Sequence, residues 1–109
     1  MSSPSYHMNI AKTILQQLGG QRFITMTGAR NFVAFPAPGL QFDLPRNSMV
    51  KNHIKRVHVI LDPSDTYTVL TMSKKRGQLD YVVVERVSGV YCDMLEGIFT
   101  DMTGLYTSL

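Results

Sequence analysis

A chain of 109 residues is the common size of a single domain and is long enough to bury one core but not two. Apolar residues make up 44% of it and charged residues 17%, enough hydrophobic surface to offset chain entropy, which excludes wholesale disorder. The lone cysteine, Cys92, excludes an internal disulfide, and no apolar run approaches the roughly 18 residues of a membrane span.

With no signal peptide at its start, the chain reads as a cytoplasmic protein with no membrane partner. Its net charge is +3, unevenly spread. Residues 1–60 hold seven bases against Asp43 alone, a balance of +6, while residues 61–109 come to −3. Such asymmetry marks an anionic partner if folding does not interleave the two halves.

Residues 1–8 are polar and without periodicity and read as a flexible leader or cloning remnant, leaving residues 9–109 as one domain. Asn9 then suits a helix N-cap. Ile10, Ala11, Ile14, Leu15 and Leu18 follow at helical spacing, and Gly19-Gly20 is the stop. From Arg22 to Val87 the pattern is one of short strand-like runs: 22–26, 31–35, 40–44, 57–61, 67–72 and 79–87. The clearest is Leu40, Phe42 and Leu44 alternating with Gln41 and Asp43. Asp62-Pro63-Ser64-Asp65 predicts a hairpin turn, and residues 45–55 a polar, basic loop or single helical turn.

A second helix is predicted from Val90 to Met102, with Tyr91, Met94, Leu95, Ile98, Phe99 and Met102 on one apolar stripe. Gly104 fits the left-handed position beyond its end. Gly97, in mid-helix, implies a close approach of the helix to the sheet, and Asp101 opposes the helix dipole in the last turn, as an exposed acid or beside a base. The expected fold is therefore α+β in two layers. An N-terminal helix and a C-terminal helix cover one face of an antiparallel meander of five or six strands, leaving the other face open to a partner or a second copy.

Leu18-Gly19-Gly20-Gln21-Arg22-Phe23 and Met26-Thr27-Gly28-Ala29-Arg30-Asn31-Phe32 resemble a family of short proteins encoded by phages, prophages and other mobile elements. Gly89-Val90-Tyr91, Asp93-Met94-Leu95, Phe99-Thr100 and Thr103-Gly104-Leu105-Tyr106-Thr107 resemble the same family's closing signature, and Leu61-Asp62 and Asp65-Thr66-Tyr67-Thr68 its central hairpin. The likeness covers about residues 10–109 and implies a setting, not an activity. The loop Phe35-Pro36-Ala37-Pro38-Gly39-Leu40 is more apolar than that family leads one to expect, so a binding role shared by relatives does not rest on it.

No nucleophile, base and orienting acid stand in a recognisable pattern, so catalysis is not expected. His7 falls in the leader, His53 in a loop and His58 on a strand, while Cys92 reads as a small core residue. The acids Asp62, Asp65, Asp93, Glu96 and Asp101 match no calcium loop, and His53 and His58 face opposite sides of an extended segment, so neither metal nor cofactor is expected. The functional signal is charge. Arg46, Lys51, Lys55 and Arg56, with Lys74, Lys75 and Arg76 in a later turn, form a basic patch if the two loops meet, and Phe35 heads a stiff apolar loop suited either to closing one end of the core or to docking. No aromatic residues interleave with these bases in the sequence.

These features together favour a non-enzymatic binding protein. In the setting that the resemblance implies, its expected role is to inhibit a host defence complex, in the manner of an anti-CRISPR protein, by occluding a surface of a host effector or nucleoprotein complex. The alternative is a nucleic-acid-binding accessory protein that uses the basic loops. A homodimer is compatible with either.

Overall fold

The computed structural model describes residues 4–36, 38–45, 50–74, 77 and 79–107. Helix α1 runs from Pro4 to Leu18, beginning five residues before the expected cap at Asn9. Proline suits a first helical turn, because its fixed φ is already helical and its missing N–H would have no partner there. Asn9 is interior instead, its carbonyl accepting the Thr13 hydroxyl at 2.9 Å. Residues 6, 8 and 9 are exposed, whereas Ala11, Ile14 and Leu18 are buried.

The segment expected as a first strand is a second helix, α2, from Gln21 to Thr27. Gly19 and Gly20 take φ of 126° and 62°, which turns the chain sharply after α1. Phe23 and Thr27 then bury one side of two helical turns, and Gly28 closes them in a left-handed cap, donating to the Ile24 carbonyl. Phe, Ile and Thr favour strands intrinsically, but burial of the Phe23 ring outweighs a preference spanning only about 1 kcal/mol.

Strands β1 (Arg30–Phe35), β2 (Gly39–Asp43), β3 (Arg56–Leu61), β4 (Tyr67–Ser73) and β5 (Val82–Val90) form one antiparallel sheet in sequence order. Between β2 and β3 lies a single 3₁₀ turn, Lys51–His53. The β3–β4 turn follows its sequence: Pro63 in second place, Asp65 left-handed at φ 62°, and the Asp65 N–H on the Asp62 carbonyl at 3.0 Å. Strand β5 begins three residues later than expected and ends three later, taking in Val90. A 3₁₀ turn, Cys92–Met94, leads into helix α3, Leu95–Thr103, which Gly104 ends in a left-handed cap at φ 82°.

Register assigns the faces. Leu40, Phe42, Val57, Val59, Tyr67 and Val69 point to one side and are buried against α1, α2 and α3. Helix α1 packs on β1 and β2, and α3 on β4, β5 and α1. Among the described residues no helix lies on the other side of the sheet. The α3 stripe is narrower than its sequence suggests: Leu95, Phe99 and Met102 are buried and Ile98 partly so, but Tyr91 and Met94 are exposed because the chain is still in an extended residue and a 3₁₀ turn there. Cys92 is likewise exposed rather than in the core.

Two glycines separate sharply. At Gly39 an added Cβ would stand 2.5 Å from the Val59 carbonyl oxygen, so β2 and β3 pair closely only with glycine there. At Gly97 it would meet nothing within 4 Å, so the expected approach to the sheet does not exist. Three substitutions should therefore behave differently in denaturant titrations. Leu95→Ala should lose about 2–5 kcal/mol, since the side chain is wholly buried. Gly39→Ala should also destabilise, whereas Gly97→Ala should stabilise by about 1 kcal/mol. A destabilising Gly97→Ala would contradict the placement of α3.

Candidate functional site

The uncovered face of the sheet is built from the alternate residues of each strand. Cross-strand register sets out three rows: Phe35, Gly39, Ile60 and Thr68; then Val33, Gln41, His58, Leu70 and Arg86; then Arg30, Asp43, Arg56, Met72 and Val83. Polar and charged groups occupy the middle of this face, with apolar side chains around them.

Two of the expected basic segments do meet. The Lys55 N–H donates to the Met72 carbonyl at 2.9 Å, and the Leu44 N–H to the Lys55 carbonyl at 2.8 Å, which fixes residues 55–56 beside the end of β4. Arg56 Nε donates to Asp43 Oδ1 at 2.8 Å, and its guanidinium carbon lies 4.0 Å from the centre of the Tyr81 ring. The Lys74 ammonium is 5.6 Å from the centre of the same ring. Tyr81, four residues downstream of Gly77, thus stands between a base from β3 and one from the β4–β5 turn. Sequence order hides this, and the expectation that no aromatic residue interleaves with the bases is corrected.

Asp43 is held from both sides, with Asn31 Nδ2 donating to its other oxygen at 3.1 Å. Asn31 reaches it from a bulge in β1, where its φ is 57°. Burial raises the Asp43 pKa, but hydrogen bonds from Arg56 and Asn31 outweigh it and hold the carboxyl below the usual range. The same bond raises the Arg56 pKa against its own desolvation. Both groups are charged at neutral pH, and the carboxylate fixes the Nε side of the guanidinium while the Nη donors make no hydrogen bond to a described residue.

One step along β3, His58 Nε2 donates to Gln41 Oε1 at 2.8 Å. The Phe35 ring stands edge-on to the imidazole, centroids 4.6 Å apart. Phe35 is therefore half-buried as part of the sheet face and is not the tip of a projecting loop. Burial, and secondarily the charge of Arg56, lowers the His58 pKa, so the imidazole is neutral at pH 7.

The remaining expected site residues part company with this face. Lys51 donates to the Asp101 carbonyl at 2.9 Å, placing its charge at the C-terminal end of α3, where the helix dipole favours a cation. This is the base beside Asp101, reached through the backbone. Arg46, Lys75 and Arg76 lie outside the described residues, as does Met49. Arg30 and Arg86, neither singled out in the sequence, join the face by register alone.

No three His, Cys, Asp or Glu side chains among the described residues could hold a metal ion together. An open concavity of about 320 Å³ beside α3 is lined by Glu96, Gly97, Thr100, Asp101, Tyr106 and Thr107. Its Glu96 carboxylate accepts the Thr107 hydroxyl at 2.8 Å and stands 3.9 Å from Arg22, contacts that tie the chain's last turn and α2 to α3. No described helix is long and apolar enough to cross a membrane. Comparison of the chain with protein-family models, with curated proteins and with solved structures gives no match.

Acid should reveal His58. Its folded pKa lies below the unfolded value near 6.5, so as pH falls past about 6.5 the unfolded chain takes up a proton that the folded one refuses, and stability declines. Asp43, also depressed, adds a similar loss only below about pH 4. In urea titrations, His58→Gln should flatten the dependence between about pH 7 and 5 and leave the lower limb intact. An unchanged slope in that window would show that the imidazole is not held neutral.

Proposed function

We propose that this is a non-enzymatic binding protein that docks through its uncovered sheet face on an anionic surface of a larger complex and blocks it. The observation that carries the reading is the Arg56–Tyr81–Lys74 arrangement, cations around an aromatic ring on the one sheet face that no described helix covers. Arg30 and Arg86 add charge around it, against Asp43 alone on the register rows of that face. Long-range attraction would speed encounter and orient the partner, and the exposed apolar side chains of Val33 and Val83 would slow its release. The resemblance to short proteins of mobile elements makes a host defence complex of the CRISPR kind the first target to test.

The geometry also decides which charges can be tested cleanly. Lys51 caps α3 and Arg56 holds Asp43, so reversing either costs stability as well as charge. Lys74 and Arg86 form no ion pair with a described residue. The double variant Lys74→Glu, Arg86→Glu should unfold close to the parent and lose inhibition of a purified CRISPR effector complex that the parent inhibits. Inhibition undiminished in the folded variant would overturn docking through this face.

A further inference from the structure

We propose that what the uncovered face recognises is single-stranded nucleic acid, its bases lying on the Arg56–Tyr81 stack and the Phe35–His58 rings and its phosphates on Lys74 and Arg86. The inference rests on the docking reading above and names its ligand chemistry.

Three observations favour it over an acidic protein surface. Cations alone would serve an acidic protein, but here each pair adds a π surface: the guanidinium 4.0 Å over Tyr81, and the imidazole edge-on to the Phe35 ring at 4.6 Å. Bases stack on aromatic rings and on guanidinium planes alike, without regard to sequence. The two pairs are centred on alternate residues of one strand, Arg56 and His58, hence about 7 Å apart, a step that an extended strand of nucleotides can follow and a stacked duplex cannot.

The groups that would meet the ligand are also prepared for it. Asp43 takes the Nε side of Arg56 and is held ionised, which fixes the guanidinium plane and leaves the Nη donors for a phosphate oxygen. His58 stays neutral against Gln41, so that it offers a ring and not a second buried charge beside Arg56. Double-stranded DNA fits poorly. No described helix rises from this face to enter a groove.

The test is fluorescence anisotropy of the full chain with labelled short oligothymidylate, oligouridylate and a duplex of the same length, across a salt series. The single strands should bind in preference to the duplex, with log K falling linearly in log salt by about 0.7 for each phosphate neutralised. Tyr81→Ala should weaken binding roughly 5- to 150-fold at every salt concentration and leave the slope unchanged, and Tyr81→Phe should restore it. Lys74→Gln, which keeps the length of the side chain but removes its charge, should lower the slope by about 0.7. Absence of single-strand binding at low salt, equal binding of the duplex, or a Tyr81→Ala variant of full affinity would each overturn the inference. If the double charge reversal still abolished inhibition of the effector complex in that event, the docking reading would stand with a protein surface as the ligand. Loss of single-strand binding in Tyr81→Ala and Lys74→Gln with duplex binding weaker throughout would establish the nucleic acid.

Discussion

Phe42 stands where the layers of this protein meet. Its ring lies 5.3 Å from Phe23 of α2, 6.0 Å from Phe99 of α3 and 5.6 Å from Phe32 of β1, and Phe23 and Phe99 close the group at 5.2 Å. Four aromatic side chains from four elements thus share one apolar volume, three of them wholly buried. The two edge-on pairs, Phe23–Phe42 and Phe23–Phe99, each add about 0.5–1.5 kcal/mol beyond the area buried. Because these rings all lie on the same side of the sheet, the helices gather there, and the opposite side is left without cover. The free face follows from where the aromatic residues fall in the sequence.

A sheet face turned to water would ordinarily need only a scatter of polar side chains. This one has more order than solvation requires. Asp43 is bonded from two strands, His58 is locked to Gln41, and Arg56 is held between a carboxylate and a ring. Each contact removes freedom from a side chain that water would leave mobile, so a partner would meet a surface whose ordering cost has already been met within the fold. The arrangement also explains why a modest net charge suffices: Asp43 offsets Arg56 locally, and Lys74 and Arg86, which make no ion pair with a described residue, stand near them.

How far the sequence foretells this depends on the range of the interactions. Alternation along Leu40–Leu44 and Val57–Leu61 is a local signal, and both strands fall where it puts them, as does the turn at Asp62–Asp65. Helix α2 escapes it because seven residues bury only Phe23 and Thr27, too few to show a period against β-prone neighbours. Tyr91 and Met94 fit the α3 stripe in spacing, but the helix has not yet begun at those residues, and nothing in a hydrophobic pattern marks a 3₁₀ turn. The site is less legible still. Lys55, Arg56 and Lys74 stand out as bases, yet Tyr81 joins them across 25 residues and Asp43 across 13, contacts that only strand register creates. Lys51 shows the converse, a base in the right stretch of sequence whose charge is spent on a helix end.

The central claim is that function lies on the sheet face opposite the helices. Aromatic ring resonances report on it directly, since the five Phe and five Tyr residues are divided between the two sides and the periphery. In NMR spectra recorded as partner is added, the rings of Tyr81, Phe35 and His58 should shift together, while those of Phe23, Phe42 and Phe99 stay in place. Shifts confined to Tyr91 and Tyr106, the exposed rings on either side of α3, would place the interaction on the helical layer and contradict the account.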